Sequence, residues 1–343
     1  MSGSHRGNPR GSLRLLSVLA VMGLGLATAP AHASPLTPPA PQDVATALGQ
    51  VGPQIVDIDA KLGYQSAIGA GTGIVIDGNG VILTNNHVVA GATDLTARSI
   101  GNGQTYPATV IGYDRKDDIA VLQLAGGGLP TANIGNSDTV TVGQPIVSLG
   151  NAGGVGGAPS AVDGRVAALN QTVSANDALT GSTETLVGLI QVDANIRPGD
   201  SGGPTVNGAN QVIGMNTAAS ENFHLGRGQG FAIPINKAMA IAGQIRSGGG
   251  SPTVHIGPTA FLGVGVNDAP GGGGAIVRQV IPTGPAAAAG INTGDVITSI
   301  NGQPVNSATT LTSILDQHHP GDGVSVGLQD RGTNVTLADG PPG

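Results

Sequence analysis

No cysteine occurs in this chain, so no disulfide stabilises it, no thiol chemistry is open to it and no lipidated cysteine anchors it. Aromatic residues make up only 2% of the sequence, which leaves the core to Val, Ile, Leu and Ala and favours β-structure. Charged residues are equally sparse at 10%, and the net formal charge is −7. That sign makes nucleic acid and anionic lipid poor partners, and neither is expected. No His and acid cluster has ligand spacing, so no metal is expected. Gly69 to Gly73 lacks the lysine and the strand–helix setting of a phosphate loop, and no cofactor is expected. His318-His319 closes a predicted helix and suits its dipole there better than it suits a metal.

Glycine is abundant instead, at 59 of 343 residues, a length that accommodates two or three compact units. Residues 1–33 read as a signal peptide: Arg6, Arg10 and Arg14, an apolar run from Leu15 to Leu26, then Ala31-His32-Ala33. The run is shorter than the roughly 20 residues that span a bilayer, so no membrane anchor is expected after cleavage. Its removal takes away three arginines and no acid, moving the charge from −7 to −10. A Pro-rich segment follows at 34–50, with a short helix predicted from Asp43 to Gln50. From 51 to about 235, short apolar runs such as Ile55-Val56-Asp57-Ile58 and Ile146-Val147-Ser148-Leu149 alternate with Gly, Asn and Asp turns. Such a pattern predicts an all-β barrel or sandwich. A helix is predicted over Asn236–Arg246, then a flexible linker through Ser247-Gly248-Gly249-Gly250-Ser251-Pro252.

The most telling stretch is Gly199-Asp200-Ser201-Gly202-Gly203-Pro204. A serine hydroxyl is a weak nucleophile and works only beside a base and opposite fixed donors. Glycines around Ser201 allow successive N–H groups of Gly199, Asp200 and Ser201 to converge as an oxyanion hole. His87, in Thr84-Asn85-Asn86-His87-Val88-Val89, follows a predicted hairpin. Asp118 opens the buried-strand run Ile119-Ala120-Val121-Leu122. Asp114 and Asp117 read as solvated turn residues. The order His87, Asp118, Ser201 is that of the chymotrypsin-like enzymes. Residues 199–203 also match the G-x-S-x-G elbow of α/β-hydrolases, but prolines at 198 and 204 exclude the strand and helix that an elbow requires.

These residues, with Gly71-Thr72-Gly73, Gln191-Val192-Asp193-Ala194, Gly214-Met215-Asn216-Thr217 and Gly230-Phe231-Ala232-Ile233-Pro234, resemble the bacterial HtrA (DegP-like) serine proteases, the secreted mycobacterial members most of all. The similarity covers nearly the whole chain after residue 50. It implies a chymotrypsin-like double β-barrel over 51–246, with His87 as base, Asp118 as orienting acid and Ser201 as nucleophile. Among the oxyanion donors it favours Gly199 and Ser201. Asn195, six residues before the serine, would floor the specificity pocket, and Asn216, Thr217 and Ala218 would pair with an extended substrate. An uncharged floor predicts cleavage after small or medium apolar residues. One departure stands out: Asp200 occupies the place where most relatives have Asn.

After the linker (247–255), residues 256–340 resemble an α+β PDZ domain through Phe261-Leu262-Gly263-Val264 and Gly294-Asp295-Val296-Ile297 to Val305. The first segment would hold a peptide's C-terminal carboxylate on backbone N–H groups, with the peptide added as a strand beside Val264 to Val266. A helix from Ser307 to Gln317, capped at Asn306 or Ser307, would wall the groove. Protein or peptide substrates and C-terminal peptides are therefore the partners that the resemblance implies. It also implies a homotrimer, but residues 34–50 contain no Phe, Tyr or Trp to build such an interface.

Overall fold

The computed structural model describes residues 43–176, 183–217 and 230–342. The signal peptide and Ala218 lie outside these. Helix α1 (Val44–Val51) starts where Asp43 predicts it, its carboxylate accepting the N–H groups of Ala45 and Thr46 at 3.2 Å each.

Six antiparallel strands follow: β1 (Ile55–Leu62), β2 (Ala67–Asp77), β3 (Val81–Thr84), β4 (Asp94–Ser99), β5 (Thr105–Asp114) and β6 (Ile119–Leu124), with one-turn α2 (Asn86–Val89) after β3. They run in the order β5-β4-β1-β2-β3-β6, and β5 pairs with β6 to close the ring. The interior is aliphatic, with Val56, Ile58, Val75, Ile82 and Leu122 buried around Tyr113. Gly73 is required in β2, because a Cβ there would lie 2.4 Å from Ile82 Cγ2.

A second set, β7 (Pro145–Gly150), β8 (Ser160–Asn176), β9 (Thr183–Val192), β10 (Pro204–Val206), β11 (Val212–Thr217) and β12 (Gly230–Pro234), closes as a barrel in the order β10-β11-β12-β9-β8-β7. Helix α3 (Ile235–Arg246) buries Ile235, Ala238, Ala242 and Ile245, one helical face, in the core it shares with these strands.

The remaining chain forms β13 (Val254–Ile256), β14 (Thr259–Phe261), β15 (Val264–Asp268), β16 (Ala275–Val280), α4 (Pro285–Ala288), β17 (Val296–Ile300), β18 (Gln303–Pro304), α5 (Ala308–Leu315), β19 (Gly323–Leu328), β20 (Gly332–Thr336) and β21 (Ala338–Gly340). Its main sheet runs β15-β16-β17-β19-β20, and β14 pairs with β21. Ser307 caps α5, its hydroxyl accepting Thr310 N–H at 3.0 Å. The chain is thus two β-barrels followed by an α+β unit with its own core, as the sequence predicts.

The flexible spacer expected between them is shorter than its composition suggests. Residues 247–251 fold back in turns, Gln244 Nε2 donating to Gly249 O at 2.6 Å. Then β13 joins the edge of β5, with His255 opposite Tyr113. Side chains reinforce this: Asp316, just past α5, accepts the Tyr113 hydroxyl at 2.8 Å and two Arg115 N–H groups at 3.1 Å each. Val254 and His255 are buried by these contacts, so apolar and hydrogen-bonding gains override the freedom of the glycines. We expect Asp316→Ala to remove the carboxylate that accepts these three bonds and to raise hydrogen exchange in β13 and α5 by a factor corresponding to about 1–3 kcal/mol. Exchange unchanged from wild type would show that this contact does not dock the last unit.

Candidate active site

Strands β3 and β6 are neighbours, with Thr84 opposite Ala120, and this brings His87 and Asp118 together. Asp118 sits at φ 54°, a left-handed conformation that a short polar side chain tolerates. Its carboxylate, 2% exposed, accepts His87 N–H at 3.0 Å through Oδ1 and lies 2.9 and 3.0 Å from His87 Nδ1. The Thr217 hydroxyl donates to Oδ2 at 3.2 Å, and Asn85 Nδ2 holds the Asp118 carbonyl at 3.0 Å. Against a carboxylate the ring carries its proton on Nδ1, which leaves Nε2 as the basic atom. The His87 side chain is 40% exposed, so the ring is open to solvent. Asp117 instead pairs with Lys237 at 2.6 Å. Asp114 is buried, not solvated as its turn setting suggests, and accepts Asp117 N–H at 3.0 Å.

Ser201, 4% exposed, lies in a turn whose carbonyls are all bonded. Pro198 O accepts Gly153 N–H at 2.7 Å, Asp200 O accepts Gly203 N–H at 3.0 Å, and Ser201 O accepts Thr72 N–H at 2.8 Å. Gly199 O accepts the Thr72 hydroxyl at 2.8 Å. A trans peptide points its N–H opposite its C=O, so bonds to Pro198 O and Asp200 O direct the Gly199 and Ser201 N–H groups to the other side. Gly199 itself has φ +94°, and a Cβ there would lie 2.1 Å from Asn151 O.

Asp200 is the exception among the three expected oxyanion donors. Its N–H is committed to Arg197 O at 2.9 Å, because the Thr72 bond turns the Gly199–Asp200 peptide the opposite way. Its side chain is buried and bonded, Oδ1 accepting the Ser160 hydroxyl at 2.7 Å and Oδ2 the Arg197 N–H at 2.9 Å. Burial pushes this carboxyl above its ordinary pKa, while the bonds from Ser160 and Arg197 and the Arg197 charge pull it back.

The substrate-contact expectations need correction. Asn195 is exposed, not an enclosed pocket floor: Ala194 and Ile196 flank it and turn into the barrel core, which sends Asn195 outward. Asn216 is fully buried. Its backbone bonds the Gly202–Gly203 turn at 2.9 and 2.7 Å, and its amide bridges Leu149 O and the Thr205 hydroxyl. The Gly202–Gly203 turn and β12 take the two edges of the strand at Asn216. Thr217 is also buried, and its hydroxyl serves Asp118. Thr72, Asn151, Gly153 and Ser160 belong to this site without being singled out from the sequence. Gly71-Thr72-Gly73 within the resemblance was the available signal.

In the last unit, Leu262 is buried, Gly263 has φ +83°, and their carbonyls accept Ala286 and Ile281 N–H at 2.9 Å each. Val264 opens β15, the outer strand of its sheet, and α5 packs beside it. Phe261 stacks on Tyr64 of the β1–β2 turn, ring centroids 5.3 Å apart. Among the described residues, no group of three His, Asp or Glu side chains is placed to hold a metal ion.

Two barrels with the base and acid on one and a glycine-cradled serine on the other are the arrangement of trypsin-like peptidases. Residues 71–215 match the family model of the trypsin-like peptidase domain, and residues 260–338 that of the PDZ domain. The serine protease PepD of Mycobacterium tuberculosis is 36% identical over 90% of this chain and 69% of its own length. The putative serine protease HhoA of Synechocystis is 36% identical over 73% of this chain and 64% of its own. A probable periplasmic DegP-like serine endoprotease of Halomonas elongata is 33% identical over 79% of this chain and 56% of its own. Among solved structures, the HtrA-type protease AlgW with tripeptide superposes with a TM-score of 0.53 at 28% identity, covering 88% of this chain and 98% of that one. AlgW with decapeptide gives 0.51 at 26% identity, covering 88% and 100%. The chain belongs to the HtrA (DegP-like) family of serine proteases, a trypsin-like peptidase domain followed by a PDZ domain. It spans between about half and two thirds of the length of several of these curated relatives.

One buried acid close to the site gives a pH test. Asp57 of β1 stands opposite Thr72 of β2 and is 3% exposed. Its Oδ2 has no hydrogen-bond partner, and the Arg98 guanidinium is 4.0 Å away. Burial raises its pKa to about 6, with Arg98 and a Gly157 N–H pulling it down and Asp59 pushing it up. The folded protein therefore holds this proton more tightly than the unfolded chain, and stability falls as pH rises from the unfolded value of 3.8 to about 6. We expect Asp57→Asn to melt higher than wild type at pH 8, by the equivalent of roughly 2–3 kcal/mol, and to lose that advantage at pH 4. Equal pH dependence in the two proteins would show that Asp57 is not held protonated by its surroundings.

Proposed function

We propose that this chain is an exported serine endopeptidase that hydrolyses peptide bonds of unfolded or misfolded proteins, with a PDZ domain that binds peptide C-termini. The observation that carries the reading is the His87–Asp118 pair, with Nε2 left basic, tied through Thr217 and Thr72 to a serine turn whose carbonyls are all bonded. Ser201 Oγ attacks the scissile carbonyl and His87 Nε2 takes its proton. The developing oxyanion is held by the Gly199 and Ser201 N–H groups, and Asp118 steadies the imidazolium. His87 then protonates the leaving amine, and water releases the acyl-enzyme by the same route in reverse.

Export rests on the expected signal peptide and on relatives named periplasmic. Among the described residues, no helix is long and apolar enough to cross a membrane. The open edge of β15 beside the Leu262–Gly263 turn supports C-terminal peptide capture. AlgW, with tripeptide and with decapeptide, agrees with peptide as the ligand class. The family's homotrimer is the assembly to test by light scattering.

A casein digest tests the reading. The wild type is expected to cut casein, with mass spectrometry placing cuts after small or medium apolar residues, and Ser201→Ala to lose roughly 10⁴-fold or more. A Ser201→Ala protein as active as wild type overturns the mechanism. A wild type that keeps a denatured client in solution without cutting it makes the protein a peptide-binding chaperone instead. Cuts mainly after Lys or Arg refute the specificity alone.

A further inference from the structure

The serine turn belongs to the second barrel, but the residue that orders it belongs to the first. Thr72 of β2 is fully buried and contacts the turn in two separable ways. Its backbone N–H donates to Ser201 O at 2.8 Å, and its carbonyl accepts the Thr84 hydroxyl at 2.7 Å. These two bonds are made by the backbone and do not depend on the Thr72 hydroxyl. Its hydroxyl does something else: it accepts Asn151 N–H at 2.9 Å and donates its single proton to Gly199 O at 2.8 Å.

That relay reaches two successive peptide planes. The bond to Gly199 O orients the plane between residues 199 and 200 and sends the Asp200 N–H to Arg197 O. The bond from Asn151 anchors the 151–154 turn, which closes on itself through Gly154 N–H to Asn151 O at 2.8 Å. The same turn directs Gly153 N–H at Pro198 O, 2.7 Å away, and so orients the plane that carries the Gly199 N–H. Chained hydrogen bonds of this kind strengthen one another, and a buried donor or acceptor left unmade is costly enough to reorganise its loop.

We propose that Thr72 is a positioning residue for the oxyanion hole, its hydroxyl fixing the Gly199 N–H group without touching substrate. The proposal rests on the serine-peptidase reading above. Valine nearly matches threonine in shape, so Thr72→Val removes the hydroxyl and keeps the volume and both backbone bonds. It takes from Asn151 N–H and Gly199 O their shared partner and leaves them only their own longer bond of 3.4 Å.

The test uses the mature chain and a fluorogenic peptide spanning a mapped casein cut. Wild-type turnover is measured first: its absence sinks the protease reading, and this inference with it. With an active wild type, Thr72→Val is expected to lower kcat on the order of 10²-fold while KM moves by less than about threefold. Affinity for a peptide boronate of the same sequence, whose tetrahedral adduct places an oxygen in the hole, should weaken in step with kcat. Thr72→Ser should recover most of the loss. If Thr72→Val does not fold, Thr72→Ala and Thr72→Ser, which differ by one oxygen, supply the same comparison. Wild-type kcat in the hydroxyl-free variant, a loss confined to KM, or no recovery with serine overturns the proposal and leaves the protease reading intact.

Discussion

A buried carboxylate is costly without donors, and that cost joins the two barrels at Asp118. Three donors reach its oxygens, the His87 backbone and ring from the first barrel and the Thr217 hydroxyl from the second. Remove the second barrel and the acid loses a bond; remove α2 and it loses the rest. The cleft between the barrels is therefore set by the needs of one charge as much as by apolar packing. Asp200 repeats the pattern inside the second barrel, with Ser160 and the Arg197 backbone as its donors. A carboxylate with donors of that kind needs no ammonium partner to remain buried.

Features decided locally were the ones most legible in the sequence. Asp43 and Ser307 cap the helices they precede, because an oxygen at that spacing meets the first orphan N–H groups. Alternating apolar runs became strands, and the order of His87, Asp118 and Ser201 determined which barrel carries which group. Four of the expectations that failed did so where a distant partner decides the outcome. The Asp200 N–H was lost from the oxyanion set to a bond with Arg197 that depends on Thr72, 128 positions earlier. Asn216 looks like part of a substrate-pairing strand until the glycine turn takes its backbone groups. Asn195 sits at the expected offset from the serine but on the wrong face of its segment. The glycine linker contains residues that read as flexible, yet Tyr113 and Asp316 stand on either side to immobilise β13 directly after it.

The PDZ unit and Asp118 are also more closely connected than their separation in sequence suggests. Arg115, which pairs with Asp316, lies in the turn whose carbonyl accepts the Asp118 N–H at 3.3 Å. His255 links both sides, stacking on Tyr113 and bonding the Asp316 carbonyl at 2.7 Å. Burial beside Asp316 pushes the Tyr113 phenol well above its ordinary pKa, so it remains a donor throughout the physiological range.

The PDZ unit is also attached elsewhere. Beyond β21 the Pro342 carbonyl accepts Gly91 N–H at 2.7 Å, just past the short helix that carries His87. With β13 fastened to β5 and Phe261 stacked on Tyr64, the unit is tied to its neighbour at three places. A body held by a single pin can swing in any direction. One held at three moves as a whole only when a tie lets go, so any large displacement of this unit breaks a contact beside the helix of His87, at the β1–β2 turn or along the edge of β5.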